Sequence, residues 1–477
     1  MLGSTAAASP NIDLDDPIYQ DLATRRALGQ LGPYLGGFAP LTDARVRELL
    51  HEPALPDVWW VSPLRRGVVR GNLVHEAVRD YSTPARPRDL AGSIALSCEH
   101  HAGQPCGDGA ALAGELESAA GYGHFVSAAV RLRALVGTSD YDSGVELDRA
   151  YVSGDWGPVA VEVGRDVMAF GPSARTQLGW GDHAAPVDHA RVSTARPFVL
   201  GPVQASAQYV VGRLRDPQVY AGNVVTIARA QLDWADLEVG VMQLLQLGGR
   251  GAPGFELGDF VLEHFRRRDA SAGAMDSSNR RFGGDVSWRI AGLWGARLYY
   301  AVMFEDIRRR YLGDAIRHDA DHVLGVDVEG LVFEWHHTGA RSQEHVPRVT
   351  GFTNDGFVVG APLGPDASSW FAAARIERAW GDVVPWVELA QLSSATYAFV
   401  VDGPIERTSE GVTESRYRVG ARLRVPVGGS MWRVDADGFV EHVDAFAFES
   451  GATRNNVGLV VALVWQPGGR LGRLANE

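Results

Sequence analysis

The 477-residue chain is 45% hydrophobic and 22% charged, an ordinary balance that excludes wholesale disorder and leaves room for two or three domains or one large all-β domain. Its formal net charge of −13 leaves no surplus of cations for neutralising phosphates, which excludes nucleic acid as a partner; all 45 basic residues are arginine. No apolar run reaches roughly 18 residues, so the sequence holds no transmembrane helix, a test that does not touch spanning β-strands of about ten alternating residues.

In chain order, residues 1–12 begin "MLGSTAAASP". Ala6-Ala7-Ala8 before Ser9 has the small-residue character of a secretory cleavage region, without the charged and apolar parts that should precede it. The expectation is a trimmed signal or a start placed too late; a small flexible N-terminus is the alternative. Residues 13–60 read as helical. Asp16 is placed to cap a helix with Pro17 at its first position and Ile18 and Leu22 one turn apart. "LTDARVRELL" repeats this grammar, with Thr42 as the cap, Asp43 in the first turn and Val46, Leu49 and Leu50 on one face.

From residue 61 to 477 the chain reads as one all-β unit, and after about residue 85 the pattern has a period of two. Cys98 and Cys106 bracket "EHHAGQP" after the first strand; in an oxidising compartment a disulfide is the simplest reading. A metal knot with His100 and His101, or free thiols in a cytosolic protein, are the alternatives. Leu132 lies between Arg131 and Arg133. "GDVSWRI" sets Val286, Trp288 and Ile290 against Asp285, Ser287 and Arg289. "ARLYYAVMFE" sets Leu298, Tyr300, Val302 and Phe304 against Arg297, Tyr299 and Glu305. "RYRVGARLRV" is the clearest: Tyr417, Val419, Ala421, Leu423 and Val425 form an apolar face, and Arg416, Arg418, Arg422 and Arg424 form a guanidinium ladder opposite.

Tight turns fall at 121–123, 154–157, 234–236, 292–295, 380–382 and 427–430. Long polar connections fall at about 167–190, 248–281, 306–321, 338–369, 402–414 and 443–454. Strict alternation of short and long also demands turns at Gly201-Pro202 and Glu329-Gly330. With these, the count is about 18 antiparallel strands. A soluble propeller or sandwich would show the same periodicity. The barrel is favoured because Trp156, Trp234, Trp335, Trp380 and Trp432 cluster at strand ends, as in an interfacial girdle, and because no blade-length repeat appears.

The segment "VAVEVGRDVMAFGPSARTQLGWGDHAAPVDHARVSTARPF" resembles the Wzi-type capsule assembly proteins, outer-membrane β-barrels with a Gly-Arg strand, a Trp-Gly-Pro-Gly turn and an "LxLSxNAxP" loop. Gly164, Arg165, Gly171, Pro172, Leu178 and Ala185-Pro186 match. Phe170 stands where the family has Trp, and Gly179 to His183 depart from its Ser and Asn. "DPIYQDLATRRALG…LTDARVRELL", "LQLGGRGAPG", "GGDVSWRI", "YYAVMFEDI" and "VTGFTNDGFVVGAPLGPDAS" resemble further family segments in the same order. The resemblance implies an outer-membrane location in a Gram-negative bacterium, N-terminal helices capping or plugging the periplasmic mouth, and a role with capsule or exopolysaccharide.

In "LVFEWHHTGARSQEHV", a strand turns Leu331, Phe333 and Trp335 to one face and Glu334 and His336 to the lumen. His336 and His337 diverge, which makes them poor joint ligands for one metal; Glu344 and His345 belong to the following loop. The arginine ladder, with Arg289, Arg297 and Tyr299, is the candidate lumenal site. Either it is braced by carboxylates such as Asp435 and Asp437, or it grips an acidic glycan through bidentate contacts. No cofactor motif, Ser/His/Asp set or phosphate loop appears, and no carboxylate pair is fixed at catalytic separation. The expected function is non-catalytic binding, surface assembly or translocation of capsular or exopolysaccharide in contact with outer-membrane lipid. The alternatives are a polysaccharide export porin working with periplasmic secretion partners, and a soluble periplasmic glycan-binding or hydrolytic β-protein.

Overall fold

A computed structural model of the chain describes residues 9–27, 29–31, 37–53, 58–76, 82–83, 86–87, 96–123, 125–183, 185–215, 218–252, 258, 263–264, 278–305, 311–343, 348, 350–399, 403–427 and 431–467. Glu344 and His345 lie outside the described residues.

Eighteen antiparallel strands close into a barrel. They are β1 (Trp59–His75), β2 (Gly109–Tyr122), β3 (Val126–Gly137), β4 (Gly144–Trp156), β5 (Val159–Asp166) and β6 (Val187–Thr194, continued by Phe198–Leu200). Then come β7 (Val203–Arg213), β8 (Val224–Trp234), β9 (Leu237–Leu247), β10 (Ser278–Ile290), β11 (Ala296–Phe304) and β12 (Ala320–Val328). The last are β13 (Leu331–Thr338), β14 (Ala367–Ala374, continued by Ile376–Arg378), β15 (Gly381–Ser393), β16 (Thr413–Val427), β17 (Trp432–Asp444) and β18 (Thr453–Trp465). Each pairs with its neighbour in sequence, and β1 closes on β18 through Gly67↔Trp465 to His75↔Val457.

The turns demanded by alternation are present. Leu200 pairs with Val203 across Gly201-Pro202, and Val328 with Leu331 across Glu329-Gly330. Glu329 and Gly330 both take positive φ, 47° and 81°, the conformation whose twist matches that of the flanking strands. The connections at 138–143 and 214–223, absent from the sequence reading, supply the remaining outer links of the alternation; they are shorter than most of the other outer connections and gave no compositional signal.

The period-two split sorts lipid from lumen. Val419, Val440, Val457, Leu459 and Val145 are exposed on the outer wall. Trp59, Trp156, Trp234, Trp294, Trp380 and Trp432 are exposed at the tight-turn end, where an aromatic girdle marks the bilayer interface. Trp335 also faces outward, but near the opposite rim, its ring 6.3 Å from that of Trp370 and tilted 43° to it.

The lumen is occupied from both ends. At the tight-turn end, residues 9–50 carry helices α1 (Ile18–Ala27) and α2 (Asp43–Leu49) around Ile12, Leu22, Leu31, Val46 and Leu49. Asp16 accepts from the backbone of Ile18 at 2.9 Å, and Thr42 caps α2 through Arg45 N at 3.2 Å. A bulge between Ser62 and Arg66 of β1 lets consecutive arginines reach this segment: Arg65 bonds Asn11 O, and Arg66 pairs with Asp13. Asp13 also pairs with Arg131 and Arg149. Burial alone would raise the Asp13 carboxyl, but Arg131, Arg66 and Arg149 reverse that and hold it well below the ordinary carboxylate range.

From the opposite end, the loop between β5 and β6 folds inward. Phe170 pairs with Phe38 of the N-terminal segment, and Gly171 N donates to Gly37 O at 3.2 Å, so the two fillings touch inside the barrel. Met168, Phe170, Leu178 and Trp180 of this loop pack with Phe352 and Val359 of the β13–β14 connection. Together they cover the inward residues Val225, Ile227, Met242, Leu244 and Met303.

Sorting by depth gives a direct test. Val419→Arg on the mid-wall should cost about 2–4 kcal/mol, and Val427→Arg at the interfacial end about 0–1 kcal/mol. Denaturant unfolding from lipid vesicles measures both, and equal costs would contradict the membrane placement.

Candidate functional site

Register aligns one row of inward side chains across eight strands. Tyr299 of β11 stands opposite Gly325 of β12, which stands opposite Glu334 of β13, which faces Phe371 of β14. The row continues through Glu388 of β15, Arg418 of β16, Glu441 of β17 and Asn456 of β18. The inward loops land on this belt.

Glu334 is the centre of it. Its carboxylate accepts from Ser173 Oγ at 3.0 Å, Ala174 N at 2.6 Å and Arg175 N at 3.1 Å, from His336 Nε2 at 2.6 Å, and from the Tyr299 hydroxyl. Tyr299 reaches it by laying its ring across Gly325, where a Cβ would lie 2.3 Å from the ring. Tyr151, opposite Gly164 in the register, accepts from Asn11 N at 2.6 Å through its hydroxyl. Gly171 and Pro172 turn the loop so that the following amides point at the carboxylate.

Arg175 carries the loop further along the row. It lies 5.0 Å over the Phe371 ring and 5.6 Å over Trp386, and its Nη2 bonds Glu99 at 2.7 Å and Glu388 at 3.1 Å. Arg418 answers from the wall, with Nε on Glu441 at 2.6 Å and Nη1 on Glu99 at 2.8 Å and Glu388 at 3.1 Å. Glu99 lies in the connection closed by the Cys98–Cys106 disulfide, so three separate segments share one ionic cluster.

The ladder therefore divides by height. Arg416 and Arg418 are buried, Arg416 pairing with Glu414 at 2.7 Å. Arg422 is half-exposed and 3.3 Å from Asp437. Arg424 points at the N-terminal segment, bonding Gln20 Oε1 at 3.2 Å and Asp15 O at 3.0 Å, while Asp435 is held by Arg433 at 2.6 Å. Arg297 lies over Tyr299 at 4.7 Å and within 3.8 Å of Asp327. Arg289 is on β10 near the tight-turn end, its amide bonded to Asp236 O at 2.8 Å. Arg165 faces outward, holding Asp188 of β6 with both Nε and Nη2 at 2.6 and 2.9 Å. Sequence reading missed Glu99, Arg175, Glu388 and Glu441. Arg175 sits within the motif-bearing loop, but only the register shows that it meets the others.

Above the belt, the connections meet through histidines. His100 lies 2.7 Å from Asp182, and His101 packs on Phe357 at 4.5 Å and on His183 at 5.9 Å. Burial would raise the Asp182 carboxyl, but His100 beside it brings it to about 2. Burial lowers His101 to about 4, and burial with the neighbouring imidazoles lowers His183 further.

A closed barrel with an apolar outer wall and an aromatic girdle, its described lumen occupied by its own chain, defines an outer-membrane type of β-barrel. The family described as capsule assembly protein Wzi matches residues 83–457, and the chain belongs to that family. It resides in the outer membrane of a Gram-negative bacterium. Among solved structures it is similar to Wzi of Escherichia coli, described as an outer-membrane protein involved in group 1 capsule assembly and a carbohydrate-binding β-barrel. That likeness has a TM-score of 0.67 and 14% identity over 97% of this chain and 99% of that one, and shows the fold. It also matches Pseudomonas aeruginosa OccD3 (TM-score 0.48, 10% identity, 89% of this chain and 98% of that one) and OprD (0.47, 10%, 87% and 97%). No curated protein matches the sequence.

Arg418→Met leaves Glu99, Glu388 and Glu441 buried around a missing cation, so it should cost about 3–5 kcal/mol and raise amide exchange across 96–108; an unchanged exchange map would contradict the cluster's role. The neutral His101 imidazole stabilises the connections fully above about pH 6.5, the ordinary histidine value, and its contribution is lost as pH falls toward about 4. Exchange protection across 96–108 should fall through that window in the wild type and less steeply in His101→Phe.

Proposed function

We propose that the protein binds a capsule-type surface polysaccharide and holds it at the cell surface, without catalysis. The observation that carries this reading is the occupation of the lumen from both ends, by residues 9–50 below and by the loop docked on Glu334 above. A barrel that passes polymer needs a continuous polar path, whereas the upper ladder here spends Arg416 and Arg418 on Glu414, Glu99, Glu388 and Glu441. The carbohydrate binding described for E. coli Wzi supports the ligand class. The same pairings support a non-catalytic role, since Glu334 and Glu388 are consumed by fixed donors. Contacts with glycan then fall to the outer connections, and an acidic polymer would meet arginines there.

Deletion of the gene followed by assay of cell-bound and released polysaccharide tests this. Retention predicts that polymer moves from the cell surface to the medium with its total preserved. Loss of all external polymer would mean that the barrel exports, in concert with periplasmic secretion partners.

A further inference from the structure

The barrel wall is uneven. Strands β11 to β13 run only 9, 9 and 8 residues, against 13, 15, 13 and 13 for β15 to β18. The rim is therefore notched over β11 to β13. Helix α3 (Leu312–His318) fills the notch from outside. Its Ile316 carbonyl accepts from His322 Nε2 at 2.7 Å, and the Tyr300 hydroxyl donates to His322 Nδ1 at 2.8 Å. His322 alternates with Asp321 and Val323, which lie in the lumen, so α3 sits on the outer surface of the wall. Ala315 is buried against the wall, while Leu312 and Ile316, one turn apart, are exposed together with Arg317.

Below α3 the outer wall is concave. A groove of about 750 Å³ runs between β11 and β16, lined by Leu324, Phe333, Trp370, Val387 and Tyr417 over the small side chain of Ala372. Ala372 stands between Phe333 and Val387 in the register, so the floor is a methyl group flanked by taller walls. At its upper end Trp335 stacks on His337 at 6.0 Å with the rings 5° from parallel, and Trp370 closes the side. The groove is continuous with the lipid-facing wall and within the volume range of ligand clefts, about 300–1,000 Å³.

We propose that this groove is a lipid site holding an acyl chain of an outer-leaflet lipid, with α3 seated at head-group depth. Leu312 and Ile316 enter the acyl boundary, as the apolar face of an interfacial helix does, and Arg317 meets the anionic head group. The assignment is independent of the polysaccharide reading: the side chains named here point to lipid, although Glu334, Glu388 and Arg418 of the belt strands also border the groove.

The test uses the full chain purified from outer membranes in mild detergent, with lipopolysaccharide as the added probe and its hydroxylated fatty acids quantified after gel filtration. Ala372→Trp fills the floor; Val145→Trp, on the exposed outer face of β4, is the control for bulk alone. Heat-modifiable migration on a gel establishes that each variant is folded. Wild type and Val145→Trp should retain lipopolysaccharide, and folded Ala372→Trp roughly tenfold less, the loss of one filled anchor. Leu312→Asp gives a second reading, with reduced retention at an unaltered floor. Equal retention by wild type and both groove variants would overturn the proposal. So would a lipid-free wild-type dimer that Ala372→Trp converts to monomer, since the groove would then belong to a second copy.

Discussion

Glu334 lies in a membrane-spanning strand with its carboxylate turned from lipid and closed off from bulk water. A charge so placed persists only if donors surround it. Two come from its own wall, Tyr299 and His336, and three from the loop that begins at Gly171-Pro172. The carboxylate therefore needs the loop as much as the loop needs the carboxylate, and this mutual requirement draws a long extracellular connection down into the barrel. The rest follows from its position. With Ser173 to Arg175 on the belt, Arg175 is delivered to Glu99 and Glu388. Phe170 is delivered to Phe38 of the N-terminal segment, and Trp180 to the apolar lining of β8 to β11.

The inward face of the barrel is accordingly not uniformly polar. On β8, Val225 and Ile227 are buried under the loop, while Arg229, Gln231 and Asp233 lie lower on the same face. A water-filled channel would have no use for the first pair. Their burial against Phe170, Leu178 and Trp180 fits a wall that receives a packed filling.

Much of this was legible in the chain. Alternation in "RYRVGARLRV" and "ARLYYAVMFE" identifies strands with one lipid face because a period of two admits no other sorting. Demanding alternate short and long connections located turns at Gly201-Pro202 and Glu329-Gly330 that composition alone marks weakly. The belt was not legible. Glu99, Arg175, Glu388, Arg418 and Glu441 are far apart in sequence and meet only through strand register and a loop whose fold depends on that register. Glu334 and His336 could be placed on the lumenal face by parity, yet parity does not say whether such a side chain meets water, ligand or the chain itself. Arg165 illustrates the same limit. The motif that contains it is recognisable, but its outward pairing with Asp188 appears only once the neighbouring strand is in place.

The central claim is that the chain fills its own lumen, so that the barrel holds and does not conduct. Ion conductance in planar lipid bilayers at neutral pH measures this most directly. The wild type should give no steady open channel. A double variant, Arg175→Ala with Asp13→Ala, removes one pin at each end and should conduct. Steady porin-like conductance from the wild type would contradict the account.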